Sequence, residues 1–266
     1  METRDRHANA RTMRRAGRWL RRGLAVASLA AVALAHAADL TVSAAASLLN
    51  AFKDIGPMFE AANPGTRLLI NFGASGALLQ QIAKGGAPVD VFVSADEETM
   101  DQAERLKVVD FAHRRDVASN ALVVIVPASA GSAPRTLADL VGSAYQRIAI
   151  GLPASVPAGR YTRSALEQAG LWPAIEARMV GATNVRQVLD YVARAEVDAG
   201  FVYATDAALM RDKVKVAFAV PTRNAVRYPA APVAASANPT LAIRFVEFLQ
   251  SSPAQAVLAR HGFGKP

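Results

Sequence analysis

The sequence predicts an α/β fold in which parallel sheets are covered by helices, and three observations carry that expectation. Strand-like and helix-like patterns alternate from residue 40 almost to the end of the chain, as repeated βα units do. No internal repeat, low-complexity stretch or long linker interrupts the alternation. The residues beyond position 37 suffice for one large or two modest α/β domains.

Residues 1–37 read as a segment apart from the fold. A basic stretch holding Arg14, Arg15, Arg18, Arg21 and Arg22 precedes an apolar run over residues 24–34. Ala35-His36-Ala37 then matches a small-x-small cleavage site. That order is a secretory signal peptide, and the apolar run is too short for a spanning helix, which takes about 20 residues. Met13 alone would open a more usual signal. Arg14-Arg15 is a poor twin-arginine match, because Ala16, Gly17 and Arg18 supply none of the apolar residues such a motif needs.

Removal of the segment takes away eight arginines and two acids, so the formal charge falls from +8 to about +2. Such a balance, with no basic stripe interleaved with aromatics, gives no reason to expect a nucleic-acid partner. The chain has no cysteine, which excludes disulfides, thiolate metal sites, a cysteine nucleophile and a lipid anchor on an N-terminal cysteine. The expected location is therefore a bacterial periplasm, free of the membrane.

The elements follow in order. Residues 40–43 read as a strand and 48–62 as a helix, its apolar positions Leu48, Leu49, Phe52, Ile55 and Phe59 at roughly helical spacing. Ser47, at the junction, suits a helix N-cap. After the Asn63-Pro64-Gly65 turn come a strand over 66–72 and a short helix over 77–84 that stops at Gly85-Gly86. A buried strand spans 89–94, and 96–105 is a helix with acids in its first turn, as the helix dipole prefers. The valine-rich 121–126 is a strand closed by Pro127; 137–140 is a helical turn and 147–150 a strand. Helices over 161–169 and 185–195, strands over 199–203 and 214–220, and helices over 241–250 and 253–261 complete the chain. Should two domains exist, 121–126 and 214–220 are the candidate crossings, since proline follows each.

Only His113 and His261 remain beyond the signal, so a metal site would rest almost wholly on carboxylates. Asp96, Glu97, Glu98 and Asp101 share one helical turn without a calcium loop's glycine and alternation, and read better as a solvated helix N-terminus. Gly73-Ala74-Ser75-Gly76-Ala77 resembles a nucleophile elbow but ends in alanine, and neither histidine has an obvious acid partner; a serine hydrolase is disfavoured. Serines at strand-to-helix junctions instead suit an anion, because first-turn N–H groups lack partners and lie at the positive end of the helix dipole. Ser47 and Ser75 stand at two such junctions. Val156-Pro157-Ala158-Gly159 opens a third helix, with proline suited to its first position, and Thr183-Asn184-Val185 caps a fourth. Tyr203 ends a strand, where open α/β sheets bind ligands. Arg160 reads as a solvent-facing side chain.

Together these stretches resemble the periplasmic molybdate-binding proteins of ABC transporters. The likeness spans residues 40–263 and rests on Ala44-Ala45-Ala46-Ser47-Leu48, Phe72-Gly73-Ala74-Ser75, Pro88 to Asp96, Val156-Pro157-Ala158-Gly159 and Gly200-Phe201-Val202-Tyr203. It implies two doubly wound α/β domains of the type II periplasmic binding protein class, joined by two crossover segments with the ligand in the cleft. Domain I is expected to hold residues 38–121 and 219–266, and domain II residues 122–218. The implied ligand contacts are the hydroxyls of Ser47, Ser75 and Tyr203 and the backbone at Ala158 and Val185. They meet the oxygens of molybdate or tungstate rather than the metal. No cofactor and no enzymatic activity are implied; the expected partner of the monomer is the membrane permease of a molybdate importer. Gly73-Ala74-Ser75-Gly76 is poorer in hydroxyls than the serine-rich family form, and Leu152 stands where an acid can occur. Rival readings are a sulfate or thiosulfate receptor, a hydrolase using Ser75, and an organic-anion binder, which would want Arg160 or Arg186 as a clamp.

Overall fold

The computed structural model describes residues 38–266, so the signal peptide expected over residues 1–37 lies outside the described residues. Two five-stranded sheets organise the chain. The first begins with β1 (Ala38–Ala45), followed by a single 3-10 turn over Ala46–Leu48 and helix α1 (Leu49–Ala62). Then come β2 (Thr66–Gly73), α2 (Ser75–Ala83), β3 (Val91–Val93), α3 (Glu97–Arg105) and β4 (Arg115–Asn120). The second sheet starts at β5 (Leu122–Pro127) and continues through β6 (Ile148–Gly151), α4 (Pro157–Gln168), α5 (Trp172–Glu176) and β7 (Met179–Ala182). After α6 (Val185–Ala193), β8 (Ala199–Tyr203), α7 (Ala204–Ala207) and β9 (Val214–Ala219), the chain returns to the first sheet. There it adds β10 (Val226–Pro232), α8 (Pro239–Leu249) and α9 (Ser252–Arg260).

Strand order is β2-β1-β3-β10-β4 in one sheet and β7-β6-β8-β5-β9 in the other. Three neighbouring strands of each sheet are parallel, while β10 and β5 run antiparallel to both their neighbours. The α/β class is as expected, but the sheets are mixed rather than purely parallel. Covering helices explain the apolar runs: β5 is buried at all six positions, whereas the edge strand β2 alternates between half-buried and exposed residues. Under the first sheet Phe52, Phe59 and Phe245 pack edge to face, with centroids 5.0 to 6.0 Å apart, a favoured arrangement for aromatic pairs.

Five elements escape the sequence reading, one of them the four-residue helix α7. Strand β4 is polar (Arg-Asp-Val-Ala-Ser-Asn), β7 is a four-residue edge, and α5 is barely more than a turn. Strand β10 carries Pro229 and Pro232 although it lies between two neighbours. A register shift between Tyr228 and Pro229 accommodates the first proline, whose carbonyl still accepts the N–H of Ser94 at 2.9 Å. Proline removes a donor and leaves the acceptor.

Asp90 ties the first sheet together. Its carboxylate accepts the Thr41 N–H at 2.8 Å and the Ser236 hydroxyl at 2.6 Å, which holds the entry to β3 against β1 and the segment that leaves β10.

Candidate functional site

All five residues singled out from the sequence line one cavity. Ser47 and Ser75 reach it from elements of the first sheet; Ala158, Val185 and Tyr203 reach it from elements of the second. Its free volume is about 10 Å³, close to the least that admits a single water-sized centre. Such a space excludes a sugar or a peptide. Every lining residue is neutral at physiological pH.

Each contact is aimed by its local structure. The N–H groups of Ala158 and Val185 fall in the first turns of α4 and α6, where helices leave donors unpaired. Pro157 holds the first position of α4, and Asn184 caps α6 by accepting the Gln187 N–H. A Cβ on Gly159 would lie 1.8 Å from the carbonyl oxygen of Gly151, so only glycine lets the start of α4 approach the end of β6 this closely.

Ser75 is the first residue of α2 and is fully buried. Its Oγ accepts the N–H of Ala95 at 3.0 Å, which leaves the hydroxyl proton to be given elsewhere. Ser47 does not cap the following helix. It sits inside the 3-10 turn, and its Oγ lies 3.0 Å from Tyr228 Oη. The Tyr203 hydroxyl points at the Ala95 carbonyl from 3.4 Å, far beyond the usual O–H···O distance, so its proton is only weakly held. Burial, reinforced by Tyr228 and nearby carboxylates, raises the Tyr203 pKa well above the phenol value. It remains a neutral donor.

Arg160 departs from the solvent-facing role expected of it, and Arg186 is engaged likewise. Arg160 donates to Asp96 from Nε at 2.7 Å, to Thr99 Oγ1 and to the Pro153 carbonyl. Asp96 is itself buried at the N-cap of α3, accepting the Thr99 N–H. The solvated helix start expected there holds only for Glu97 and Glu98. Arg186 donates to Asp206 at 2.5 Å, to Asn50 Oδ1 at 2.8 Å and to the Ser47 carbonyl at 2.9 Å. These two guanidiniums tie elements of one sheet to elements of the other beside the cavity, and neither lines it. The backbone joins them, Gly76 N–H donating to the Ser155 carbonyl at 3.0 Å.

The alternatives lose ground on the same geometry. Each histidine is paired with an aspartate away from Ser75: His113 with Asp110 at 2.7 Å and His261 with Asp54 at 2.8 Å. Ser75 therefore has no base. An organic-anion clamp would need a free guanidinium, and both are engaged. Among the described residues no group of His, Asp or Glu side chains has the arrangement of a metal site. A wider neighbouring pocket of about 130 Å³ is lined by the carboxylates Asp96, Glu97 and Glu98 and by Arg160 and Arg223, of which Arg160 is already paired with Asp96. Sequence reasoning missed Ala95, which lines the cavity, and Tyr228 and Asn120, which sit behind its wall; no local pattern marks a residue that acts through its neighbour.

Comparison with known proteins identifies the family. The model of the bacterial extracellular solute-binding protein family matches residues 40–264. The molybdate-binding protein ModA of Escherichia coli is 35% identical over 243 residues, 89% of this chain and 93% of that protein. A Bacillus subtilis protein described as a putative ABC transporter substrate-binding lipoprotein, YvgL, is also 35% identical, over 84% of this chain and 85% of its own. Among solved structures, the periplasmic molybdate-binding protein of Azotobacter vinelandii superimposes with a TM-score of 0.73 at 25% identity. The match covers 85% of this chain and 99% of that one.

Proposed function

The chain belongs to the bacterial extracellular solute-binding proteins and, among them, to the molybdate-binding family, and from that membership we propose that it captures molybdate for an ABC importer. One observation carries the reading: a small cavity lined only by neutral residues, with hydroxyl and helix N-terminal donors converging on it. A dianion needs no counter-charge where several helix N-termini point at it. Under this reading Ser47, Ser75 and Tyr203 donate hydroxyl protons to the oxygens, and Ala158 and Val185 donate backbone N–H groups. Tungstate, of the same shape and charge, binds at the same place. Donors on every side reject an ion that must itself donate a proton.

The proposed division places domain I at residues 38–121 and 219–266 and domain II at 122–218. The ligand closes the two like a hinge, because its donors come from both. Export through cleavage of residues 1–37 delivers a monomer to the periplasm, where it meets the membrane permease of a molybdate importer. Purified protein incubated with molybdate and then dialysed should retain one molybdenum per chain, and Ser47→Ala protein markedly less. Retention that is equal in both, or nil in the unaltered protein, overturns the reading.

A further inference from the structure

Ser47 ends a chain of hydrogen bonds whose direction is set at its far end. The chain starts at Asn120, the last residue of β4. Its Oδ1 accepts the N–H of Ala121 at 2.9 Å; a backbone amide only donates, so the side-chain amide has one possible orientation. Its Nδ2 therefore faces the interior, donating to Thr205 Oγ1 at 2.9 Å and to Tyr228 Oη at 3.2 Å. Tyr228 is fully buried against Tyr203 and Phe263, and burial raises its pKa far above neutrality. Having accepted from Asn120, this phenol has its proton left to give. Ser47 Oγ stands 3.0 Å away to receive it. Ser47 thus spends an acceptor site on Tyr228, and its own proton remains for the cavity it lines.

We propose that Asn120 and Tyr228 are positioning residues that commit the Ser47 proton to the ligand, and that this polarity disfavours oxyanions carrying a proton. The relay runs from Asn120 Nδ2–H to Tyr228 Oη–H to Ser47 Oγ–H to a ligand oxygen, each bond polarising the next. Ser75 is held in the same sense by the Ala95 N–H. Each serine keeps a second lone pair, but an ion bearing O–H reaches it only by turning the serine proton away from the ligand, where nothing is placed to receive it. The inference rests on the oxyanion reading above and adds to it the residues that set selectivity.

The test is calorimetric titration at mildly alkaline pH with molybdate and with hydrogen arsenate, two tetrahedral dianions of which only the second carries a proton. Asn120→Asp puts an acceptor opposite Tyr228 and reverses the relay: Tyr228 donates to the carboxylate, Ser47 donates to Tyr228, and a Ser47 lone pair faces the cavity. The new negative charge repels both dianions equally and cancels in the ratio of their affinities. That ratio, molybdate over arsenate, should fall about tenfold or more, the worth of one hydrogen bond to a charged group. Tyr228→Phe frees Ser47 to donate or accept and should lower the ratio by a smaller factor, about threefold. It also carries the test should Asn120→Asp fail to fold. An unchanged ratio in the folded variants overturns the relay, and so does an Asn120→Asp protein that folds but binds neither ion. Unaltered protein that binds neither molybdate nor arsenate overturns the oxyanion reading instead.

Discussion

At the scale of single residues, the site is a set of neutral donors, and each of its two serines is bonded behind the cavity wall to Tyr228 or to the Ala95 N–H. Ser47→Ala and Ser75→Ala each delete one donor to a charged ligand. Either should weaken molybdate binding by about 1.5–3 kcal/mol, read as a rise in Kd of roughly ten- to 150-fold. Melting temperatures of the ligand-free variants serve as the control for folding. A second prediction concerns Asp206, buried beneath Tyr203 and paired with Arg186. Burial, opposed by Arg186, pushes its carboxyl up to about 6 from the ordinary 3.8. The fold therefore favours the protonated form, and that contribution is complete below the ordinary value and lost as pH rises through about 6. Urea unfolding at a series of pH values should show Asp206→Asn with a flatter profile than the unaltered protein between those limits. The five cavity residues were legible because each stands at a strand-to-helix junction or a strand end. Asn120 and Tyr228 were not, because one is a polar strand residue and the other lies in a proline-bearing strand, and their role depends on contacts 108 and 181 positions apart in sequence.

Elements were readable where the hydrophobic period was strong and went unread where tertiary pairing alone defines a strand. Strand β10 forms between β3 and β4 despite two prolines, since a bulge absorbs one of them. Strand β4 forms from polar residues because a partner strand satisfies its backbone. The serine cap expected at the start of α1 is absent for a related reason: the 3-10 turn over Ala46–Leu48 takes Ser47 off the helix end and gives its hydroxyl to Tyr228. Two glycines separate folding from binding at this scale. Gly159→Ala places a Cβ on the backbone of Gly151 and should destabilise the ligand-free protein by about 1–3 kcal/mol, the usual cost of overpacking. Gly76→Ala meets the Ser155 backbone at 2.8 Å, a contact between elements of different sheets. Under the proposed hinge this contact parts in the ligand-free protein, so the substitution should leave the ligand-free melting temperature nearly unchanged and shrink the stabilisation that molybdate provides, both read by thermal unfolding.

In the molecule as a whole, a small neutral cavity lies among elements of two sheets that polar bridges hold together. Arg160 with Asp96, Arg186 with Asn50 and the Ser47 carbonyl, and Gly76 with Ser155 are those bridges. Because the arginines stand outside the cavity, Arg160→Ala should weaken the binding of every oxyanion by a similar factor and leave their ranking unchanged. An arginine clamp on the ligand would instead change the ranking. The central claim is that neutral donors select an unprotonated tetrahedral dianion. Its most direct test is calorimetric titration of ligand-free residues 38–266 with molybdate, tungstate, sulfate and phosphate in turn. The account predicts tight one-to-one binding of molybdate and tungstate with little heat from phosphate. Phosphate binding as tight as molybdate, or no heat from any of the four, would contradict it.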